Sequence, residues 1–259
     1  MNHLDKNVKK SLGQNFLRDK NIINKIVNVF NIENEKVLEI GPGQGDLTKE
    51  LLKKAKKVLA FEIDKSLIEH LKNEIKDLHF ELRDQDFLNV NLNDDEFKDY
   101  YVVANIPYYI TSDILLKIYR SFWNFKGIVL MVQKEVAQRI VAQKNSKNYS
   151  KLSISSQYLA DVKIEFIVNK NSFIPAPKVD SAVISLKFKD NIDKENLEKI
   201  LKFFLVCFSN RRKKLTFTLN RNFNSTKVKL AYEKLNLSDN ARIQELDVSQ
   251  IVLLFTYLN

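Results

Sequence analysis

A single cysteine, Cys207, stands among 259 residues. That excludes an intramolecular disulfide framework and any zinc site built on a cysteine cluster. Histidine is nearly as scarce: His3, His70 and His79 fall in neither metal-ligand nor triad spacing and read as surface or packing residues. No GxSxG, Walker-type or HExxH motif occurs. The expectation is therefore a protein that holds no metal. Long apolar runs are also missing, since the longest, such as residues 251–258, fall far short of the roughly 20 residues a membrane helix needs. The opening segment MNHLDKNVKK is charged and has no apolar stretch of the kind a secretory signal carries. A cytoplasmic protein that makes no use of a membrane is expected.

What is present is ordinary in bulk, with 44% hydrophobic and 29% charged residues. At this length the chain can bury one large core, or one core with a smaller appendage. Its 42 Lys and Arg against 32 Asp and Glu leave a net charge of +10. A surplus of that size favours polyanions through phosphate contacts and counterion release. AT-rich coding also raises Lys and Asn, so charge alone leaves nucleic-acid binding open.

Residues 37–133 alternate β-rich runs (37–40, 58–63, 79–82, 101–104, 127–132) with helical patterns at 46–57, 65–76 and 112–122. Such alternation predicts βαβ units in a parallel sheet covered on both faces, a doubly wound Rossmann-like α/β layer structure. A helix at 134–143, a polar loop at 144–150 and a helical pattern to residue 160 follow. Two further β-like runs, 162–168 and 182–188, flank a loop holding Pro175 and Pro177. From Asp193 the pattern is helical and basic with no strand signal. The composition shift near residue 190 predicts a catalytic α/β domain over 1–189 and a small all-helical domain over 190–259.

Glycine is rare too, and its placement is informative. Three of the five glycines lie in Gly41-Pro42-Gly43-Gln44-Gly45, directly after the apolar run Val37-Leu38-Glu39-Ile40. A strand that runs into a glycine turn and opens a helix lets a ligand approach the backbone closely. The spacing is Gly-x-Gly-x-Gly, preceded by an acid, rather than the dinucleotide form Gly-x-Gly-x-x-Gly. The next strand ends in Phe61-Glu62-Ile63-Asp64, which sets Glu62 at the carboxyl edge, where an acid can accept from both ribose hydroxyls of an adenosine. Asp64 suits the N-cap of the following helix. Asp86, after the third strand, could accept from an adenine amine or simply cap a helix. NAD and S-adenosylmethionine both fit at this point.

The fourth strand separates them. Val102-Val103-Ala104 runs into Asn105-Ile106-Pro107-Tyr108-Tyr109. The exocyclic nitrogen of adenine is a poor nucleophile because its lone pair is delocalised into the ring. The Asn105 side-chain oxygen and a neighbouring backbone carbonyl could bind its two hydrogens and draw it toward tetrahedral geometry. Pro107 fixes the turn, and Tyr108 offers a face for the base, worth about 1–3 kcal/mol. The amine becomes acidic once it has attacked a sulfonium methyl, so no strong general base is required. Orientation and preorganised acceptors then supply most of the catalysis.

With these residues assembled, the chain resembles the ribosomal RNA adenine dimethyltransferase family, the KsgA/Erm group, nearly end to end. Ser11-Leu12-Gly13-Gln14-Asn15-Phe16-Leu17 is similar to the family's N-terminal motif, and GPGQG, FEID and NIPYY match its cofactor and target motifs in order. The segments 133–139, 145–153 and 173–182 are closer to the KsgA branch; the Erm branch usually has Asn where Asp180 stands. Ser150 departs from the branch, which usually has glycine there. The resemblance implies a Rossmann-like methyltransferase fold and S-adenosylmethionine as cofactor. It implies Asn15, Leu17, Gly41, Glu62, Asp86 and Asn105 as cofactor contacts, with Gly43 in the same turn. It also implies two methyl groups on each of two adjacent adenines in a hairpin near the 3′ end of small-subunit rRNA. The partner expected is that rRNA, or the immature small ribosomal subunit, met by a monomer. Arg211-Arg212-Lys213-Lys214, expected on a helix, are the candidate phosphate contacts.

Overall fold

The computed structural model describes residues 14–259. His3 and the Ser11-Leu12-Gly13 start of the N-terminal motif lie outside the described residues. The chain divides into two compact units, one running to Ala137 and taking in Lys163–Phe188, the other made of Gln138–Val162 with Lys189–Asn259.

In the first unit the apolar runs form strands β2 (Lys36–Ile40), β3 (Lys57–Glu62), β4 (Phe80–Asp84), β5 (Tyr100–Asn105) and β6 (Phe125–Gln133). Their order is β4-β3-β2-β5-β6, every neighbouring pair parallel, as the alternating pattern predicts. Beyond β6 the sheet changes character. Strand β9 (Ser181–Phe188) pairs antiparallel to β6, and β7 (Ala160–Val168) closes the far edge, which makes a mixed sheet of seven strands. A further pair, β1 (Phe16–Leu17) and β8 (Phe173–Ile174), joins two short segments far apart in the chain.

Both faces of the sheet are covered, which is why its strands read as unbroken apolar runs rather than as alternating ones. Val37, Val58, Val103, Val129 and Val183 share a core with Ile23, Ile26 and Val27 of α1 (Lys20–Val27) and with Leu47 and Leu51 of α2 (Asp46–Leu52). Their neighbours Leu38, Leu59, Val102 and Ile128 are paired across the strands and point to the opposite face. Helix α3 (Lys65–Glu74) lies against β3 and β4, and α4 (Thr111–Tyr119) buries Ile114, Leu115 and Ile118. Asp19 and Asp64 cap α1 and α3, each accepting from backbone N–H groups of the first turn. Helix α5 (Lys134–Ile140) follows β6.

The second unit is helical: α6 (Lys151–Leu159), α7 (Leu197–Phe208), α8 (Leu215–Leu219), α9 (Ser225–Lys234) and α10 (Val248–Leu258). Edge-to-face aromatic pairs lock it together. Phe203 meets both Phe223 and Phe255, and Phe204 meets Tyr158 of α6, with ring centroids 5.6–5.7 Å apart. The Tyr158 contact explains why α6 belongs to this unit although it precedes residue 190. Ser150, the departure noted above, takes an extended backbone (φ −151°), so nothing there requires glycine. Its N–H donates to Ser153 Oγ at 2.9 Å at the start of α6.

Candidate active site

A cavity of about 1150 Å³, open mouth included, lies at the carboxyl ends of the central strands. Asn15, Leu17, Gly41, Gly43, Glu62, Asp86, Asn105, Pro107 and Tyr108 all line it. Every residue proposed for cofactor or target base is thus brought to one place, where doubly wound sheets hold their ligands.

The glycine turn makes the floor. Gly43 has φ +60°, and a Cβ there would sit 3.1 Å from the Phe16 ring. At Gly45 (φ +85°) a Cβ would come within 2.9 Å of Leu71 of α3. A side chain at either position would be strained in backbone and in space. Arg18, just after β1, donates to Asp46 at 2.8 Å and to the side-chain oxygen of Gln44, tying the Phe16–Leu17 segment to the start of α2.

Glu62 ends β3 and is buried. Its Oε1 accepts from the N–H groups of Ile63 (2.8 Å) and Asp64 (3.0 Å), and Oε2 accepts from Gly43 N–H at 3.3 Å. Burial raises its pKa, and these three donors oppose that. Oε2, with a single long contact, keeps acceptor capacity toward the cavity. Asp64 caps α3 through Ser66, as expected, and so leaves Glu62 to the cavity. Asp86 does what the sequence allowed as its alternative. It caps a short turn by accepting from Leu88 N–H at 2.9 Å, while its exposed carboxylate still lines the cavity.

Asn105 ends β5. Its Nδ2 donates to the Asn15 carbonyl at 3.3 Å, which directs Oδ1 elsewhere as an acceptor. Pro107 (φ −56°) leads into a single 3₁₀ turn over Tyr108–Ile110. The Tyr108 ring is half-buried and its hydroxyl is 2.6 Å from Ser181 Oγ. Burial raises the Tyr108 pKa, so the phenol stays protonated.

Charge decides what the cavity can hold. Glu39, Asp46, Glu62 and Asp86 line it, and among the described residues no Lys or Arg does. A dinucleotide pyrophosphate would meet repulsion there, whereas a cationic sulfonium and amino group would meet attraction. The donor set therefore fits S-adenosylmethionine and does not fit NAD.

The family model for ribosomal RNA adenine dimethylase matches residues 5–259. The chain belongs to the ribosomal RNA adenine dimethylase family. This dimethylase is 99% identical over 259 residues, all of both chains, to the ribosomal RNA small subunit methyltransferase A of Mycoplasmopsis synoviae (strain 53). It is 50% identical to the protein of that name from Mycoplasma mobile, over 98% of this chain and 99% of that one. Among solved structures, a dimethyladenosine transferase from Plasmodium falciparum superposes with a TM-score of 0.81 at 30% identity, covering 92% of this chain and 95% of that one. The 23S rRNA methyltransferase ErmE gives 0.71 at 28% identity, with 94% and 99% covered.

Two features of the dimethylase site escape sequence reasoning. Glu39, noted only as the acid before the glycine turn, is a fully buried wall of the cavity, and burial pushes its carboxyl pKa up to about 8. Between its ordinary value of 4.5 and about 8, the folded chain holds a proton that the unfolded chain releases. Stability of the ligand-free protein should therefore fall as pH rises through that window and level off above it. Glu39→Gln should flatten the curve, its advantage in thermal midpoint growing from pH 5.5 to 8. A parallel decline in the variant would contradict this. The second feature is the Ser181 partner of Tyr108, treated below. His70 and His79 join no metal centre: no group of three or more potential metal ligands occurs among the described residues. Nor is any helix there long and apolar enough to cross a membrane.

The four cations require a correction. Arg211, Arg212, Lys213 and Lys214 are not on a helix but in the turn between α7 and α8. Ser209 and Asn210 end the helix: the Ser209 hydroxyl donates back to the Val206 carbonyl, and the Asn210 carbonyl accepts from Lys213 N–H at 2.9 Å. Arg211 is partly buried and donates to the Lys147 carbonyl at 3.3 Å, which draws the 144–150 loop to the cluster. Arg212, Lys213 and Lys214 are exposed. Lys213 lies 3.9 Å and Arg221 5.3 Å from the ring centre of Phe217, itself partly exposed.

Proposed function

We propose that this chain dimethylates the exocyclic amines of two adjacent adenines in a hairpin near the 3′ end of small-subunit rRNA, during ribosome assembly. The observation that carries the reading is the meeting of the acid-lined glycine-turn cavity with Asn105, Pro107 and Tyr108 at its rim. The names of the M. synoviae and M. mobile relatives support the small subunit as its target.

S-adenosylmethionine, when bound, supplies an electrophilic methyl on a cationic sulfur. Glu62 takes the ribose hydroxyls with its remaining acceptor capacity, and Asp86 takes the adenine amine of the cofactor. Gly41 and Gly43 let the ligand lie close to the turn, under Asn15 and Leu17. At the target base, Asn105 Oδ1 and a neighbouring backbone carbonyl accept the two amine hydrogens, localising the nitrogen lone pair toward the incoming methyl. Pro107 holds Asn105 and Tyr108 at fixed separation, and the Tyr108 ring supports the flipped base. The tyrosine does not act as a base, since burial keeps its phenol neutral.

The RNA-positioning role belongs to the helical part beyond residue 189, joined by α6 and its preceding loop. Arg211, Arg212, Lys213 and Lys214 contact phosphate, with Phe217 and Arg221 beside them. Extruding an adenine takes a few kcal/mol, less for a loop base, and these contacts offset it. The protein acts as a monomer in the cytoplasm, on the rRNA or on the immature small subunit.

The test is methyl transfer from labelled S-adenosylmethionine to unmethylated ribosomal subunits, followed by mass spectrometry of the nucleosides. Dimethyladenine confined to small-subunit RNA is expected. Label in large-subunit RNA would move the target to the other subunit, and cofactor binding without transfer would make the protein a binding factor.

A further inference from the structure

Tyr108 and Ser181 lie 73 residues apart in two different motifs, NIPYY and the stretch ending in Val179-Asp180-Ser181-Ala182. Their hydroxyls meet at 2.6 Å. Ser181 is fully buried and opens β9, where it pairs with Gln133, the last residue of β6. The preceding residue is fastened as well. The Asp180 carbonyl accepts from Lys134 N–H at 3.0 Å, and its Oδ1 accepts from Lys170 N–H at 3.1 Å. The oxygen that Ser181 presents is thus held by the sheet. Tyr108 meets it at the far end of its ring, while its near end is held by the Pro107 turn. Tyr109, its neighbour, is 63% exposed.

A phenol oxygen lies on the axis of its own ring, so a hydrogen bond there leaves the ring free to flip about that axis. It does fix where the far end of the ring points, which is the side-chain torsion that decides whether a face is offered to a base. We propose that Ser181 is a positioning residue for methyl transfer: it anchors the Tyr108 hydroxyl so that the ring stands ready to support the target adenine. This rests on the adenine reading of the Asn105–Tyr108 rim. Ser181 touches neither base nor cofactor, and its effect passes wholly through Tyr108.

The discriminating experiment compares Ser181→Ala, Tyr108→Phe and the double variant with wild type in single-turnover methyl transfer. Cofactor affinity is measured alongside. Each single variant should lower kcat by about 3- to 10-fold, the factor a neutral hydrogen bond is worth. Cofactor affinity and KM for RNA should hold within about twofold. The double variant should be no slower than either single one, because both remove the same bond. Tyr108→Ala, which removes the ring itself, should be slower than all three. An independent readout is 2-aminopurine in place of the target adenine, whose emission is quenched by stacking; the Ser181→Ala complex should be brighter than wild type. Wild-type kcat and unchanged emission in Ser181→Ala would overturn the proposal, as would additive losses in the double variant. Equal losses in cofactor affinity would also overturn it by making Ser181 merely structural. Failure of the adenine reading would show earlier and differently, as no transfer to adenine by the wild-type protein.

Discussion

Asn105→Ala should reduce methyl transfer by about 10²–10³-fold in kcat, the loss expected when one preorganised partner of a developing charge is removed. The argument starts from adenine. Its amine lone pair is shared with the ring, and transfer requires that it be gathered onto nitrogen as positive charge builds there. Two acceptors on the amine hydrogens do this, and one of them is Asn105 Oδ1. The side chain is preoriented, since it closes β5 between β2 and β6 and its Nδ2 donates to the Asn15 carbonyl. Alanine removes the acceptor and leaves that carbonyl without its donor. Asn105→Asp keeps an acceptor but sets a carboxylate against the Asn15 carbonyl, so its rate should fall between alanine and wild type. Single-turnover transfer measures the chemical step, and calorimetry with S-adenosylhomocysteine measures the pocket. A variant that loses cofactor affinity by the full factor while keeping kcat would remove Asn105 from the chemistry. The same Asn105→Ala protein separates catalysis from subunit binding in cells: rescue of every deletion phenotype would make binding the essential role.

The sheet was legible in the sequence because its signal is local. β2, β3, β5 and β6 are buried on both faces, and such burial writes Val, Ile and Leu without interruption over 37–40, 58–61, 102–104 and 128–132. The glycine turn was legible for a similar reason: positive φ at Gly41, Gly43 and Gly45 leaves little choice of residue. What escaped reading depends on partners distant in the chain. The β1–β8 pair is two residues on each side, too short for any period, and is set by register with Phe173 and Ile174. The Tyr108–Ser181 bond leaves no mark on the residues near either partner. Nothing within 134–160 says that Tyr158 will meet Phe204. The run of four cations was read as a continuing helix because Lys and Arg are good helix formers. The hydrogen bonds of Ser209 and Asn210 outweighed that propensity.

RNA affinity should fall by about 10³–10⁵ between 50 and 200 mM salt, the dependence expected for 6–10 phosphate contacts. The net charge of +10 permits this without requiring it, because charge spread evenly over a surface repels itself and binds nothing in particular. The turn between α7 and α8 is different. Three exposed cations in succession, Arg212, Lys213 and Lys214, project from a backbone fixed by the Asn210–Lys213 turn and by Leu215 N–H donating to the Ala241 carbonyl at 2.8 Å. Exchanging these three for glutamine should make the logarithmic salt dependence shallower by about 2 to 3, close to one unit per released contact. The melting temperature should stay unchanged, since exposed side chains without ion pairs contribute little to folding. Arg211 is excluded from the exchange because its guanidinium holds the Lys147 carbonyl, and losing it would disturb the loop as well as the charge. Anisotropy titrations of the labelled rRNA hairpin against potassium chloride would give both slopes. A slope that is flat in the wild type, or equal in the two proteins, would remove this turn from the RNA contact and leave the flipped adenine to be held by the catalytic rim alone. The Tyr108 ring would then supply about 1–3 kcal/mol of stacking against an extrusion of a few kcal/mol, too little to hold the base out of its stack for the lifetime of a transfer.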